Sequence, residues 1–140
     1  MGELSQNTNL ASEYYVLSML YRIGADAHLT LGNKKSIDIV VTKGNSILSI
    51  DVKGLLGTTN FPIDNWKKMH KTHFLIFVSF KNEMNNPSAL PEVYIVPSSE
   101  LEKKRKLLIY SNPKGNRTVV PLGRLRKVGE KYRDKWNYFI

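Results

Sequence analysis

The chain has 140 residues, of which 41% are apolar and 24% charged, a composition typical of a single globular domain spanning residues 1–140. It holds no cysteine, which excludes both a disulfide framework and a zinc site built on thiolates. The N-terminus lacks the basic and apolar regions of a signal peptide, and no apolar run is long enough to cross a bilayer. We therefore expect a soluble cytoplasmic protein.

The net charge of +9 is distributed unevenly along the chain. Residues 1–100 carry nine basic and nine acidic side chains, whereas residues 101–140 carry twelve basic and three acidic ones. A concentrated basic surface attracts polyanions such as nucleic acids. The alternative is a solvated basic segment that only keeps the protein soluble.

Residues 8–23 predict an amphipathic helix, because their apolar side chains recur at three- and four-residue spacing. Gly24 is placed to end this helix. Glu13 lies on the same stripe as the apolar residues. A carboxylate on an inward face needs a partner, a metal or a water-filled cleft, so Glu13 is the first candidate functional residue.

Residues 36–42 and 46–53 predict the two strands of a β-hairpin, because turn-forming residues lie between them. With the loop centred between Gly44 and Asn45, alternation sorts the side chains onto two faces. One face is wholly apolar and fixes the register, since a slip of one residue would bury charges. Its members are Ile37, Ile39, Val41, Leu48, Ile50 and Val52.

The other face of this hairpin gathers charged residues. The predicted register places Asp38 opposite Asp51 and Ser36 opposite Lys53. Two carboxylates directly opposite each other are destabilising unless a cation lies between them. Lys53 supplies one positive charge, and a divalent cation would supply the rest. The alternative is an exposed cluster of salt bridges, which would contribute little to stability.

Further strands and helices are predicted on both sides of the hairpin. The predicted strands are residues 27–31, the almost continuously apolar residues 73–80, which suit a buried central strand, and residues 92–96. The predicted helices are a short one over residues 62–71 and a second one from the capping box Ser99-Glu100-Leu101-Glu102 to about residue 110.

Several other features have both a functional and a structural interpretation. His70 and His73 have the spacing of metal ligands, but no third ligand accompanies them. Trp66, next to Lys67 and Lys68, is either a nucleic-acid contact or a core anchor. The basic runs at residues 103–106 and 124–127 either bind phosphates or are ordinary surface. The aromatic residues 136–140 either dock on the core or form an oligomer contact.

The triplet Asp51-Val52-Lys53 gains its meaning from its context. The pattern Asp/Glu-x-Lys is expected about once by chance in this composition, and Glu102-Lys103-Lys104 matches it too. Only the first match lies on a predicted strand whose antiparallel neighbour carries an opposing Asp38. A helix with Glu13, a hairpin strand with Ile37-Asp38 and the triplet itself come in that order along the chain. In this order the chain resembles the PD-(D/E)XK nuclease superfamily, although Ile37 stands where the pattern has proline. Residues 91–98 and 131–136 are also similar to small bacterial members.

The resemblance implies an α/β fold with a restriction-endonuclease-like mixed central sheet flanked by helices, whose α-β-β-β-α-β core covers residues 8–80. It assigns Asp38 and Asp51 to metal binding, Lys53 to catalysis and Glu13 to an accessory catalytic carboxylate. Carboxylate oxygens suit Mg²⁺, with Mn²⁺ able to substitute.

The expected function is a Mg²⁺-dependent DNA endonuclease. Cutting both strands of a duplex would favour a homodimer. One alternative is an inactive nucleic-acid-binding protein that keeps the nuclease fold. A weaker alternative is a subunit that joins a larger complex through its C-terminal aromatic segment.

Overall fold

A computed structural model describes residues 2–30, 37–64, 71–114 and 117–140. In chain order its elements are α1 (Gly2–Arg22), β1 (Asp26–Leu29), β2 (Ile39–Lys43), β3 (Ser46–Leu55), β4 (Asn60–Pro62), β5 (His73–Ser79), β6 (Glu92–Pro97), α2 (Ser98–Lys103), α3 (Arg105–Leu108), β7 (Tyr110–Ser111), β8 (Thr118–Pro121), α4 (Leu122–Val128) and two 3-10 helices, Glu130–Tyr132 and Trp136–Phe139. None of the described helices is long and apolar enough to span a membrane.

Five strands form a mixed sheet in the order β1-β2-β3-β5-β6. The strands β3 and β5 run parallel, and every other neighbouring pair in this sheet is antiparallel. A smaller antiparallel sheet has the order β4-β8-β7. The predicted α/β class with a mixed central sheet flanked by helices is therefore confirmed.

The β2–β3 hairpin has the predicted register, with Ile39 opposite Ile50 and Lys43 opposite Ser46. Its two-residue loop begins with Gly44, whose φ of 60° lies in the left-handed region that glycine adopts without steric cost. Strand β2 begins at Ile39 instead of residue 36. Some of the predictions concern residues that the structure does not describe, namely Ser36, Trp66, Lys67, Lys68 and His70.

Both faces of the central sheet are covered by apolar side chains. On one face α1 packs through Val16 and Leu20 onto alternate residues of β2, β3 and β5. Trp136 and Phe139 join this cluster, so the C-terminal aromatic segment docks on the core. On the other face the remaining residues of β5 and β6 pack against the small sheet and helices α2 and α4. Strand β5 is consequently buried along its whole length, as its apolar sequence predicted.

The prediction of a helix over residues 62–71 is wrong at its start. Pro62 is the last residue of the edge strand β4, where it pairs with Val119 of β8. Proline is tolerated at an edge because the missing N–H costs no ladder hydrogen bond there. Since β8 comes much later in the chain, the local sequence around Pro62 contains no signal for this pairing.

The prediction of a capping box at Ser99 is also wrong. The helix α2 begins at Ser98 directly after β6, with Pro97 at the N-cap and no side-chain cap. Pro97 is fixed by its pairing with Phe74 of β5, and the Ser98 hydroxyl is engaged with Nδ1 of the buried His73. The helical segment is interrupted at Lys104, and α3 ends at Leu108 instead of near residue 110.

Candidate active site

The two strands of the hairpin bring Asp38, Asp51 and Lys53 together. Asp51 and Lys53 alternate onto the face of β3 that is opposite the apolar residues Ile50 and Val52. Asp38 precedes β2, but its backbone N–H still donates to Ile50 O at 2.7 Å. The hairpin pairing therefore continues one hydrogen bond beyond the ladder and holds Asp38 beside Asp51.

The side chain of Asp38 is fixed by the backbone of the neighbouring strand. Its Oδ2 accepts a hydrogen bond from the N–H of Val52 at 2.7 Å. This contact holds the carboxylate close enough to Asp51 for Asp38 to raise the pKa of Asp51. The predicted proximity of the two carboxylates is thus present, through a backbone contact that alternation alone does not predict.

Lys53 is the cation closest to these carboxylates among the described residues. Its Nζ lies 3.3 Å from Asp51 Oδ2, and the two side chains are 24% and 9% exposed. A lysine ammonium this close favours the ionised form of a carboxylate. Asp51 thus has one cation and one second carboxylate as neighbours in a largely dehydrated position.

Burial dominates the electrostatics of this site. It raises the pKa of Asp51 from 3.8 to about 7; Lys53 opposes this rise, and Asp38 adds to it. Burial likewise raises the pKa of Glu13 from 4.5 to about 7, with the charge of Asp38 as the second cause. In the described part of the chain, the cleft therefore gathers three carboxylates and one lysine.

Glu13 reaches the site from helix α1, which packs unusually close to β3 at Gly54. A Cβ atom at Gly54 would collide with the Ser12 hydroxyl and would meet the Thr8 carbonyl oxygen at 3.1 Å. The Ser12 hydroxyl itself donates to that carbonyl at 2.7 Å. The missing side chain at Gly54 is what allows the helix carrying Glu13 to approach Lys53 and its strand.

The four predicted site residues line one cleft of about 380 Å³. The structure thus brings all of them to the same opening, and most of the cleft wall comes from α1 and β3. The complete lining is Asn9, Glu13, Asp38, Asp51, Val52, Lys53, Gly54 and Pro62.

The donor set suits a hard divalent cation held partly by water. Among the described residues no three His, Asp or Glu side chains are close enough to form a complete metal cage. Mg²⁺ is usually bound through one or two carboxylates, with waters and substrate phosphates as its other ligands. The pair Asp38 and Asp51 fits that requirement, and Glu13 is placed to act through water.

The other predicted candidates are engaged elsewhere in the fold. His73 lies buried beside Ser98. In the run at residues 103–106, Arg105 pairs with Glu102 at 2.8 Å and Lys104 lies over the ring of Tyr132. In the run at residues 124–127, Arg126 pairs with Glu92.

Comparison with known proteins supports the fold. Neither a protein-family model nor a curated protein sequence matches the chain. Among solved structures, the bacterial homing endonuclease I-Ssp6803I matches with a TM-score of 0.61 and 15% sequence identity, over 96% of this chain and 91% of that one. The fold is similar to that of a bacterial homing endonuclease. At this identity the likeness concerns the fold alone.

Sequence reasoning missed two residues that shape the site. Gly54 was not recognised as the point of close helix approach, although a glycine inside a strand is a usual marker of one. Asn9, one helical turn before Glu13, also lines the cleft. Its polar side chain four residues before Glu13 is a signal that the sequence did contain.

Proposed function

We propose that the protein is a Mg²⁺-dependent DNA endonuclease of the PD-(D/E)XK type. The observation that carries the proposal is Asp51, a buried carboxylate with Lys53 at 3.3 Å and Asp38 beside it, at an open cleft. The similarity of the fold to a homing endonuclease supports the same conclusion. The proposal includes Mn²⁺ as a substitute metal, a cytoplasmic location, a single domain and DNA as the partner, with a homodimer favoured if both strands of a duplex are cut.

Each of the four residues at the cleft has a separate role in the proposed mechanism. Asp38 and Asp51 would hold the metal, which when bound would polarise a phosphate oxygen and lower the pKa of a coordinated water. Lys53, still 24% exposed, is placed to hold an attacking water or to stabilise charge that develops on the phosphate. Glu13 reaches the cleft from helix α1, where it can orient water and accept a proton.

The basic C-terminal part of the chain supports a polyanionic substrate. Residues 101–140 contribute the whole net charge of +9, and a surface of this sign attracts the DNA backbone. A nucleic-acid-binding protein without activity would need the same charge. It would have no use for two carboxylates held side by side at the cleft, so the enzyme is the better account of this site.

The proposal is tested by nicking and cleavage of supercoiled plasmid in Mg²⁺ or Mn²⁺. We expect wild type to cleave, EDTA to abolish cleavage, and Asp51→Ala and Lys53→Ala to be inactive. Asp26→Ala is the matched control, because Asp26 is an exposed aspartate paired with His28 away from the cleft. If the wild type binds DNA but does not cleave it under any of these conditions, the protein is a nucleic-acid-binding protein and not a nuclease.

A further inference from the structure

A second cleft adjoins the carboxylate cleft. It has a volume of about 390 Å³ and is formed by the small sheet, with Pro62 of β4 lining both clefts. The strand β4 follows β3 in the chain, so the small sheet begins a few residues after Lys53. The lining residues are Thr59, Asn60, Pro62, Tyr110, Asn112, Arg117 and Val119.

The chemistry of this second cleft is that of a nucleic-acid contact. It presents two side-chain amides, a tyrosine and an arginine, which are residue types that hydrogen-bond base edges, stack on bases and bind phosphates. Tyr110 is 48% exposed, so its ring is accessible from the cleft. A cleft that offers amides, an arginine and an exposed ring, and that adjoins the proposed phosphodiester-cleaving site, has the properties expected of a DNA-binding groove.

Arg117 is held in place and keeps the capacity to bind a phosphate. Its Nε lies 3.2 Å from Asp64 Oδ2, and the side chain remains 57% exposed. The other oxygen of Asp64 accepts the N–H of Thr118 at 2.6 Å, which fixes the carboxylate against β8. A guanidinium has five N–H donors, so one carboxylate contact leaves donors for a phosphate.

Tyr110 is also held by a cation. The guanidinium of Arg124 lies 5.7 Å from the ring centroid, and its Nη1 donates to Ile109 O at 2.8 Å. The backbone contact fixes the arginine, and the arginine in turn fixes the ring. A ring that is ordered before binding loses less entropy when a base stacks on it.

We propose that this second cleft binds the nucleotides next to the scissile phosphate, with Arg117 contacting a phosphate and Tyr110 stacking on a base. The inference rests on the proposed nuclease function and adds a position for the flanking DNA. It also assigns part of the positive charge of residues 101–140 to a position next to the candidate active site.

Affinity for a fluorescein-labelled DNA duplex, measured by anisotropy in EDTA, tests the inference without requiring cleavage. We expect Arg117→Ala to raise Kd roughly five- to tenfold and to reduce the slope of log Kd against log salt by about one. Arg117→Lys keeps the charge and should keep most of the slope. Arg105→Ala is the matched control, because that arginine is 51% exposed and is also paired with a carboxylate.

Two further variants separate a direct contact from support of the fold. Asp64→Asn breaks the ion pair but leaves the cation, so it should preserve or tighten DNA binding if Arg117 contacts phosphate. If Arg117 only supported the fold, Asp64→Asn would weaken binding as much as Arg117→Ala does.

Tyr110→Ala should weaken binding about fivefold, whereas Tyr110→Phe, which keeps the stacking ring, should bind like wild type.

The outcomes distinguish this inference from the proposed function. One outcome is that the wild type cleaves DNA, Asp51→Ala does not, and both Arg117→Ala and Tyr110→Ala bind DNA like wild type. This would overturn the DNA-binding role of the second cleft and leave the proposed nuclease function standing. Weakened binding in both variants without any wild-type cleavage would retain the DNA-binding cleft and overturn the nuclease. If both proposals hold, the main kinetic effect of Arg117→Ala is a higher KM for plasmid cleavage.

Discussion

Asp51 and Glu92 are two buried carboxylates with opposite electrostatic environments. The side chains of Asp51 and Glu92 are 9% and 4% exposed, and each has a basic side chain within ion-pair distance. Yet the pKa of Asp51 is raised to about 7, mainly by burial, whereas that of Glu92 is lowered to about 2, mainly by hydrogen bonds from Arg126. Solvent exposure is therefore not what distinguishes them, although Asp51 lies deeper in the fold and burial acts more strongly on its charge.

The difference lies in how completely each carboxylate is compensated. Both oxygens of Glu92 accept hydrogen bonds from Arg126, at 2.8 and 2.9 Å, and one also accepts the Tyr94 hydroxyl at 2.7 Å. Asp51 has one lysine at 3.3 Å and a second carboxylate beside it. Glu92 is satisfied by the fold, whereas Lys53 is the one cation within ion-pair distance of Asp51 among the described residues, an arrangement expected of a functional site.

The largest expected effect is on catalysis. Asp51→Asn should lower plasmid cleavage about a thousandfold or more, because it removes a metal-binding oxygen from the candidate site. Glu92→Gln is the same chemical change in an equally buried position and should retain cleavage at a temperature where it is folded. If both variants lost cleavage equally, the effect of Asp51→Asn would come from impaired folding and not from loss of a catalytic group.

The two variants should change stability in opposite directions. Glu92→Gln is expected to lower the free energy of unfolding by about 2 kcal/mol, because it removes the buried negative charge that pairs with Arg126. Asp51→Asn in EDTA should raise it by about 1 kcal/mol, since it removes a charge that burial and Asp38 disfavour. Urea unfolding in EDTA measures both. A destabilised Asp51→Asn protein would contradict the view of an uncompensated site.

The pH dependence of stability should identify Glu92 as the compensated carboxylate. The pKa of Glu92 is lowered from 4.5 to about 2, so its ionised form stabilises the fold above pH 4.5. That contribution is lost as pH falls from 4.5 toward 2. We expect the difference in unfolding free energy between wild type and Glu92→Gln to be greatest near pH 6 and to shrink over this range. A difference that does not change with pH would exclude the ionic contribution.

Glu13 should have the smallest catalytic effect of the acidic site residues. Glu13→Gln is expected to lower kcat for plasmid cleavage roughly tenfold, because the role proposed for Glu13 is to act through water and not to bind the metal directly. Asn9→Ala, which changes a neighbour on the same cleft wall, is the control for altered helix packing. An effect of Glu13→Gln as large as that of Asp51→Asn would instead make Glu13 a direct ligand.

The hairpin and its carboxylates were predictable because their signals are local. A two-residue loop and strict alternation define the β2–β3 register, and that register places Asp38 next to Asp51. Glu13 could be identified from its place on an apolar helical stripe. These predictions need only residues that are adjacent in sequence or on one face of one element.

The features that sequence could not predict depend on contacts between distant segments. Nothing near Glu92 indicates that Arg126 will pair with it, and nothing near Pro62 indicates a strand partner in β8. Likewise, Ser99 has the sequence of an N-cap, but β6 continues to Pro97 because it pairs with β5. In each case a tertiary contact overrides or completes a local preference.

Thermal unfolding with and without Mn²⁺ tests the central claim most directly, because it reports metal binding without any requirement for cleavage. We predict that Mn²⁺ raises the Tm of wild type and of Glu92→Gln by a similar amount, roughly 3 to 8 °C at a large excess over Kd, and leaves that of Asp51→Asn nearly unchanged. A wild type that Mn²⁺ does not stabilise, or an Asp51→Asn protein stabilised as much as wild type, would contradict the assignment of Asp51 to a metal site.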